Sequence, residues 1–152
     1  MARSVCGVDR SFARAGNDPF SGNTELVITL TDVVSGDKTW EIIRQASMFN
    51  DEPGEGKEYI IACFAVEVVS LERAPFDLNH LMFEAVSAVG VVYSDFVVVV
   101  SLEPELAAEL YEGATHRGWT YFLVREDDSP MAVFNRGRYG ANAWFALRRS
   151  KD

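Results

Sequence analysis

The sequence predicts an antiparallel β-sandwich, and three observations carry that prediction. Short stretches alternate apolar with polar residues, most clearly at 26–30 and 60–68. Turn clusters stand between them: Ser35-Gly36-Asp37, the 50–56 stretch with Pro53, Gly54 and Gly56, and Glu126 to Pro130. The chain has 152 residues, 48% hydrophobic and 24% charged, which suits one folded domain with its own core.

In chain order, residues 1–18 are small, polar and charged and read as a flexible tail, with the domain at 19–149 and a short tail at 150–152. Glu25 to Val34 reads as a strand with Leu26, Ile28 and Leu30 on its core face. Ser35 to Asp37 then turns the chain into a second strand, Thr39 to Ala46, with Trp40 and Ile42 on one side. From Tyr59 the chain is extended again. Ile60, Ala62, Phe64, Val66 and Val68 form its core face, and the opposite face leaves Cys63 partly buried.

The stretch from Ala74 to Gly90 reads equally well two ways. Leu78, Leu81, Met82, Ala85, Val86 and Val89 sit at helical spacing, with Asp77 as N-cap and Gly90 as terminator, yet an extended path also fits. Val91 to Ser101 is rich in β-branched residues and reads as a strand buried on both faces. A helical turn is expected after Pro104, ending at Gly113. Trp119 to Arg125, Met131 to Phe134 and Trp144 to Arg148 complete the set, for about seven to nine strands and one short helix in 77–90 or 103–112.

The net charge of −9, from 23 acidic and 14 basic residues, repels phosphate backbones, so a nucleic-acid partner is not expected. No apolar run approaches the roughly 20 residues of a membrane-spanning helix. Residues 1–7 contain no apolar core of an export signal, which leaves a cytoplasmic location as the alternative to export. Cys6 and Cys63 suffice for one disulfide and fall short of a four-ligand zinc site.

Catalytic chemistry finds little support. His80 and His116 lack a neighbouring carboxylate or cysteine pattern, there is no Gly-x-Ser-x-Gly elbow, and Cys63 lies within a strand. The expectation is a non-enzymatic protein without a cofactor. Two acidic turns are the candidate calcium sites, with Asp51, Glu52 and Glu55 in one and Asp127 and Asp128 in the other. Neither has EF-hand spacing, and solvated turn charge is the favoured reading. Trp40, Trp119 and Trp144 lie among apolar strand residues, which favours core packing over a sugar-stacking platform.

Several pieces in order give the chain a resemblance to a known group: Phe49-Asn50, Pro53, Gly56 and Glu58-Tyr59, then Glu109 to Gly113, Gly118-Trp119 with Phe122 to Val124, Asp127-Asp128, and Trp144-Phe145 with Leu147. With these, it resembles a bacterial family related to the mycobacterial immunoprotective extracellular antigen, over roughly residues 16–148. The resemblance implies an immunoglobulin-like sandwich in a secreted or lipid-anchored protein, placed outside the cell or on its surface. Arg3-Ser4-Val5 before Cys6 departs from a lipoprotein motif. The implied role is binding a protein or cell-envelope component through loops, with Asn50, Glu58, Asp127 and Asp128 as candidate contacts; the alternative is a small-ligand module for carbohydrate or calcium.

Overall fold

The computed structural model describes residues 21–94, 97–134 and 143–148, together with the backbone of 9–18. Expectations for residues 1–8, Cys6, the 136–142 loop and the 150–152 tail lie outside that range. The fold is antiparallel and mostly β, with one α-helix among the described residues: β1 (Asp9–Asp18), β2 (Gly22–Val34), α1 (Asp37–Ala46), β3 (Lys57–Leu71), β4 (Phe76–Leu78), a 3-10 turn (His80–Met82), β5 (Phe83–Val86), β6 (Ala108–Leu110), β7 (Thr115–Arg125), β8 (Met131–Phe134) and β9 (Ala143–Ala146).

One sheet runs β1-β2-β3-β7, a second β5-β8-β9, and β4 pairs with β6. The expected tail therefore loses residues 9–18, which pair with β2 from Asp9↔Leu30 to Asp18↔Gly22. At the centre, β3 places Ile60, Ala62, Phe64, Val66 and Val68 in the core between the two sheets, as their alternation predicts. Phe64 stacks on Phe83 at 4.4 Å between centroids and meets Phe145 edge-on at 5.1 Å, so the sheets interlock through aromatic rings.

A bulge between Leu30 and Asp32 shifts β2 by one residue. Leu26, Ile28 and Leu30 enter the inter-sheet core, whereas Val34 reaches a second cluster on the far side of the sheet. That cluster also contains Tyr59, Ile61, Val99 and Leu102 and is covered by α1 through Ile43. Because both faces of β3 are covered, Cys63 is fully buried rather than partly exposed.

The expected second strand at 39–46 is α1. Residues 40, 42 and 44 alternate, but Thr39 and Ile43, four apart, are the residues with no exposed surface, and that spacing belongs to a helix. Asp37 in its first turn and Arg44 in its last complement the helix dipole. The Ser35–Asp37 turn thus joins a strand to a helix.

The 74–90 stretch takes the extended course, with β4, the short 3-10 turn and β5. No helix forms at 103–112; β6 lies there instead. Nor do the described residues of 91–101 form a strand beyond one bridge at Val92 to Val86. Val91 and Val98 are exposed while Val99 and Leu102 are buried, so residues 97–102 act as a strap over the sheet rather than a strand inside it. Trp144, expected in the core, is 44% exposed.

Candidate functional site

The candidate loop contacts divide sharply once their partners are known. Asn50 is buried: its amide donates to the Ile43 and Val100 carbonyls, both at 3.0 Å, and its oxygen accepts the Val100 N–H at 2.8 Å. Glu58 pairs with Arg148, whose Nε also donates to the Asp128 carbonyl at 2.8 Å. The Asp128 carboxylate accepts the Tyr93 hydroxyl at 2.5 Å and the Ala88 and Ser129 N–H groups at 3.1 and 2.8 Å. Burial alone would raise the Asp128 pKa, but these donors, with Arg125 nearby, hold it below the ordinary value. Asn50, Glu58 and Asp128 therefore fasten loops to the core and present little to a partner.

Asp51, Glu52 and Glu55 are exposed, and Asp127 sits beside Arg125 in an exposed pair. Among the described residues, no three histidine, cysteine, aspartate or glutamate side chains converge as a metal site. The exposed aromatic residues Phe49, Tyr111 and Trp144 belong to separate parts of the chain: the loop after α1, the segment after β6, and β9. Trp40 packs parallel to Tyr59 at 6.3 Å, as core packing predicts. The buried Cys63 thiol has its pKa pushed up by burial, against the thiolate a nucleophile needs.

The loop between α1 and β3 does expose something the sequence reading passed over. Met48 and Phe49 are 85% and 83% exposed, yet their loop is tightly held. The Ser47 hydroxyl accepts the Phe49 N–H at 3.1 Å, and the Ser47 carbonyl accepts the Asn50 N–H at 3.2 Å. Asn50 ties the loop's base to α1 and to the strap, and the Tyr59 hydroxyl donates to the Asp51 carbonyl at 2.8 Å. Two large apolar side chains thus project from a braced turn, with the exposed carboxylates of Asp51, Glu52 and Glu55 following in sequence. Adjacent apolar residues on a polar turn are the sequence signal for this feature.

A second feature lies where β5, the edge of one sheet, passes β7, the edge of the other. A cleft of about 650 Å³ opens between them, walled by Phe83, Ala85, Tyr93, Val97, Phe122 and Leu123. Leu81 and Val98, both largely exposed, form part of its lining, and His80 and Tyr121 supply polar groups. The His80 Nε2 lies 3.1 Å from the Tyr121 hydroxyl, with the rings edge-to-face at 4.6 Å. Burial lowers the His80 pKa, and Glu105 opposes that shift, so the imidazole is neutral near pH 7.

Compared with protein-family models, curated proteins and solved structures, the chain matches none. No helix among the described residues is long and apolar enough to cross a membrane.

Proposed function

We propose that this chain is a non-enzymatic binding domain that engages a protein or cell-envelope partner through the 47–55 loop, with Met48 and Phe49 as apolar anchors. The exposure of these two side chains on a braced loop carries the reading. A loop already held in one conformation loses little ordering entropy on binding, and buried aromatic and methionine anchors are enriched at protein interfaces. Asp51, Glu52 and Glu55 suit a partner whose apolar socket is rimmed by lysine or arginine. Export and an immunoglobulin-like architecture belong to the same proposal: the resemblance described above supports both, and two antiparallel sheets that share one buried core support the architecture.

Selection from a displayed library of random peptides tests the anchor directly. The wild-type chain serves as bait, and a Met48→Ser/Phe49→Ser variant removes loop-independent binders. The expected survivors combine basic with aromatic or aliphatic residues, and their binding weakens as salt rises. A library that yields no sequence sensitive to these two substitutions rejects the loop as the binding surface.

A further inference from the structure

We propose that the outer edge of β7 at Tyr121 and Leu123 takes up a short extended peptide as an added strand, whose side chains fill the β5–β7 cleft. The proposal is independent of the 47–55 loop. Hydrogen-bond parity locates the edge. The Glu126 N–H donates to the Gly56 carbonyl at 3.0 Å, and the Val68 N–H donates to the Ala114 carbonyl at 2.9 Å. In the β3–β7 register, these pairs put the even-numbered residues of β7 on the β3 side and the odd-numbered ones on the outer side. Residues 104–106 occupy the outer side at Trp119, whose N–H donates to the Pro104 carbonyl at 2.9 Å and whose carbonyl accepts the Leu106 N–H at 3.2 Å. Further along, the Arg125 N–H donates to the Tyr93 hydroxyl at 3.3 Å. Between these points, the outward N–H and C=O groups of Tyr121 and Leu123 have no partner among the described residues.

The cleft opens on that edge. Tyr121, Phe122 and Leu123 all line it, as do Phe83, Glu84 and Ala85 of β5. Side chains alternate along a strand, so consecutive lining residues mean that the strand's edge, with its backbone, faces the cavity. Donors and acceptors at strand spacing identify the occupant, because an extended backbone matches them and a compact apolar molecule does not. The chain supplies its own precedent where Glu105 runs parallel to β7 at Trp119. Both sides of the slot are apolar: Phe83 and Phe122 belong to the inter-sheet core, whereas Val97 and Leu123 pack against the cluster that α1 covers. An added strand sends successive side chains to opposite sides, so the peptide needs consecutive apolar residues. A volume of about 650 Å³, within the range of small-ligand sites, limits the segment to a few residues. The net charge of −9 disfavours acidic flanks.

The probe is a library of acetylated pentapeptide amides with valine, isoleucine, leucine or phenylalanine at the central positions and lysine or threonine at the ends. Affinity selection on the full chain picks out the members that bind. In the free chain, the Tyr121 and Leu123 amides should exchange hydrogen at least about tenfold faster than those of Phe122 and Val124, which face β3. A selected peptide should slow the Tyr121 and Leu123 amides by about tenfold or more. When its own backbone amides are methylated one at a time, at least one product should bind about tenfold more weakly, the loss expected for a hydrogen bond to the β7 edge. Leu123→Pro removes an outward N–H, a change that edge strands tolerate, and should weaken binding about tenfold while thermal unfolding stays cooperative. If that variant does not fold, the exchange rates and the methylated peptides decide the matter. The proposal is overturned by the absence of any saturable binder, by Tyr121 and Leu123 amides that are protected in the free chain or unchanged on binding, or by affinity indifferent to every methylation.

Discussion

The side chain of Asn50 pairs with the backbone of Val100 in both directions, donating to its carbonyl at 3.0 Å and accepting from its N–H at 2.8 Å. In this way one amide substitutes for a neighbouring strand at a point where the strap has none, and its second donor reaches Ile43 at the end of α1. Helix, strap and apolar loop share this single fastening. Asn50→Ala should cost about 2–4 kcal/mol, since it leaves buried backbone groups without partners. Asn50→Asp should cost at least as much, because a carboxylate would face two carbonyl oxygens. Urea unfolding midpoints check both, and a cost below about 1 kcal/mol for each would show that the clamp contributes little.

Gly118 is required by a crossing of backbones. A Cβ built there would lie 2.4 Å from the Glu105 carbonyl oxygen and 2.6 Å from the Leu106 Cα. The crossing chain is fixed by hydrogen bonds on either side, from the Trp119 N–H to Pro104 and from the Leu106 N–H to the Trp119 carbonyl. Neither strand can move without breaking these bonds. Gly118→Ala should destabilise by about 1–3 kcal/mol or more, the cost of overpacking where relaxation is blocked. The 103–107 amides should also exchange hydrogen faster in the variant, whereas a substitution that acts only through strand propensity would leave them unchanged.

Tyr93 and Asp128 give stability in acid a specific origin. The Asp128 pKa is held below its ordinary value despite burial, so its contribution is present above about pH 4 and is lost as the pH falls through the folded-state pKa. Tyr93→Phe removes one of the donors responsible and should cost about 1–3 kcal/mol at pH 7, as for a hydrogen bond to a charged group. That cost should shrink in acid once Asp128 is protonated in both proteins. Paired unfolding curves followed stepwise from pH 7 into acid, with the Asp128 carboxyl carbon-13 shift reporting its protonation, measure the difference, and a cost that stays constant as Asp128 protonates would remove the charge from this account.

The features most legible in the sequence were those governed by period and volume. Leu26, Ile28 and Leu30, and the even positions from Ile60 to Val68, fall on one core face because strand geometry leaves no other choice. Residues 39–46 misled because Trp40 and Ile42 mimic alternation over a segment too short to separate the two periods. The 97–102 strap was hidden for a different reason: β-branched residues favour extended chain, but pairing depends on which neighbours are free, and that is a tertiary outcome. Asn50 and Asp128 looked like binding residues because polar turns usually face water. Their burial follows from partners 50 and 40 positions away, Val100 and Ala88, which no local pattern encodes. The cleft needed the meeting of β5 and β7 and was likewise invisible, although Met48-Phe49 could have been flagged as an apolar pair beside an acidic turn.

His80 should impose a mild pH dependence near neutrality, and its sign follows from the direction of its shift. Burial, opposed by Glu105, lowers its pKa in the folded state, so the unfolded chain binds a proton more readily. Stability from this group is therefore complete above about pH 6.5 and declines as the pH falls through the folded-state value. Tyr121, whose own pKa is raised by burial, does not titrate in this window. Nor does Asp128, which acts only in stronger acid. His80→Gln should be less sensitive than wild type between pH 7.5 and 5, so the difference between their unfolding midpoints should drift in favour of the variant as the pH falls. Nitrogen-15 shifts of the His80 ring supply the independent check: protonation should begin below the ordinary histidine value, and a ring that titrates at or above it would contradict the neutral imidazole.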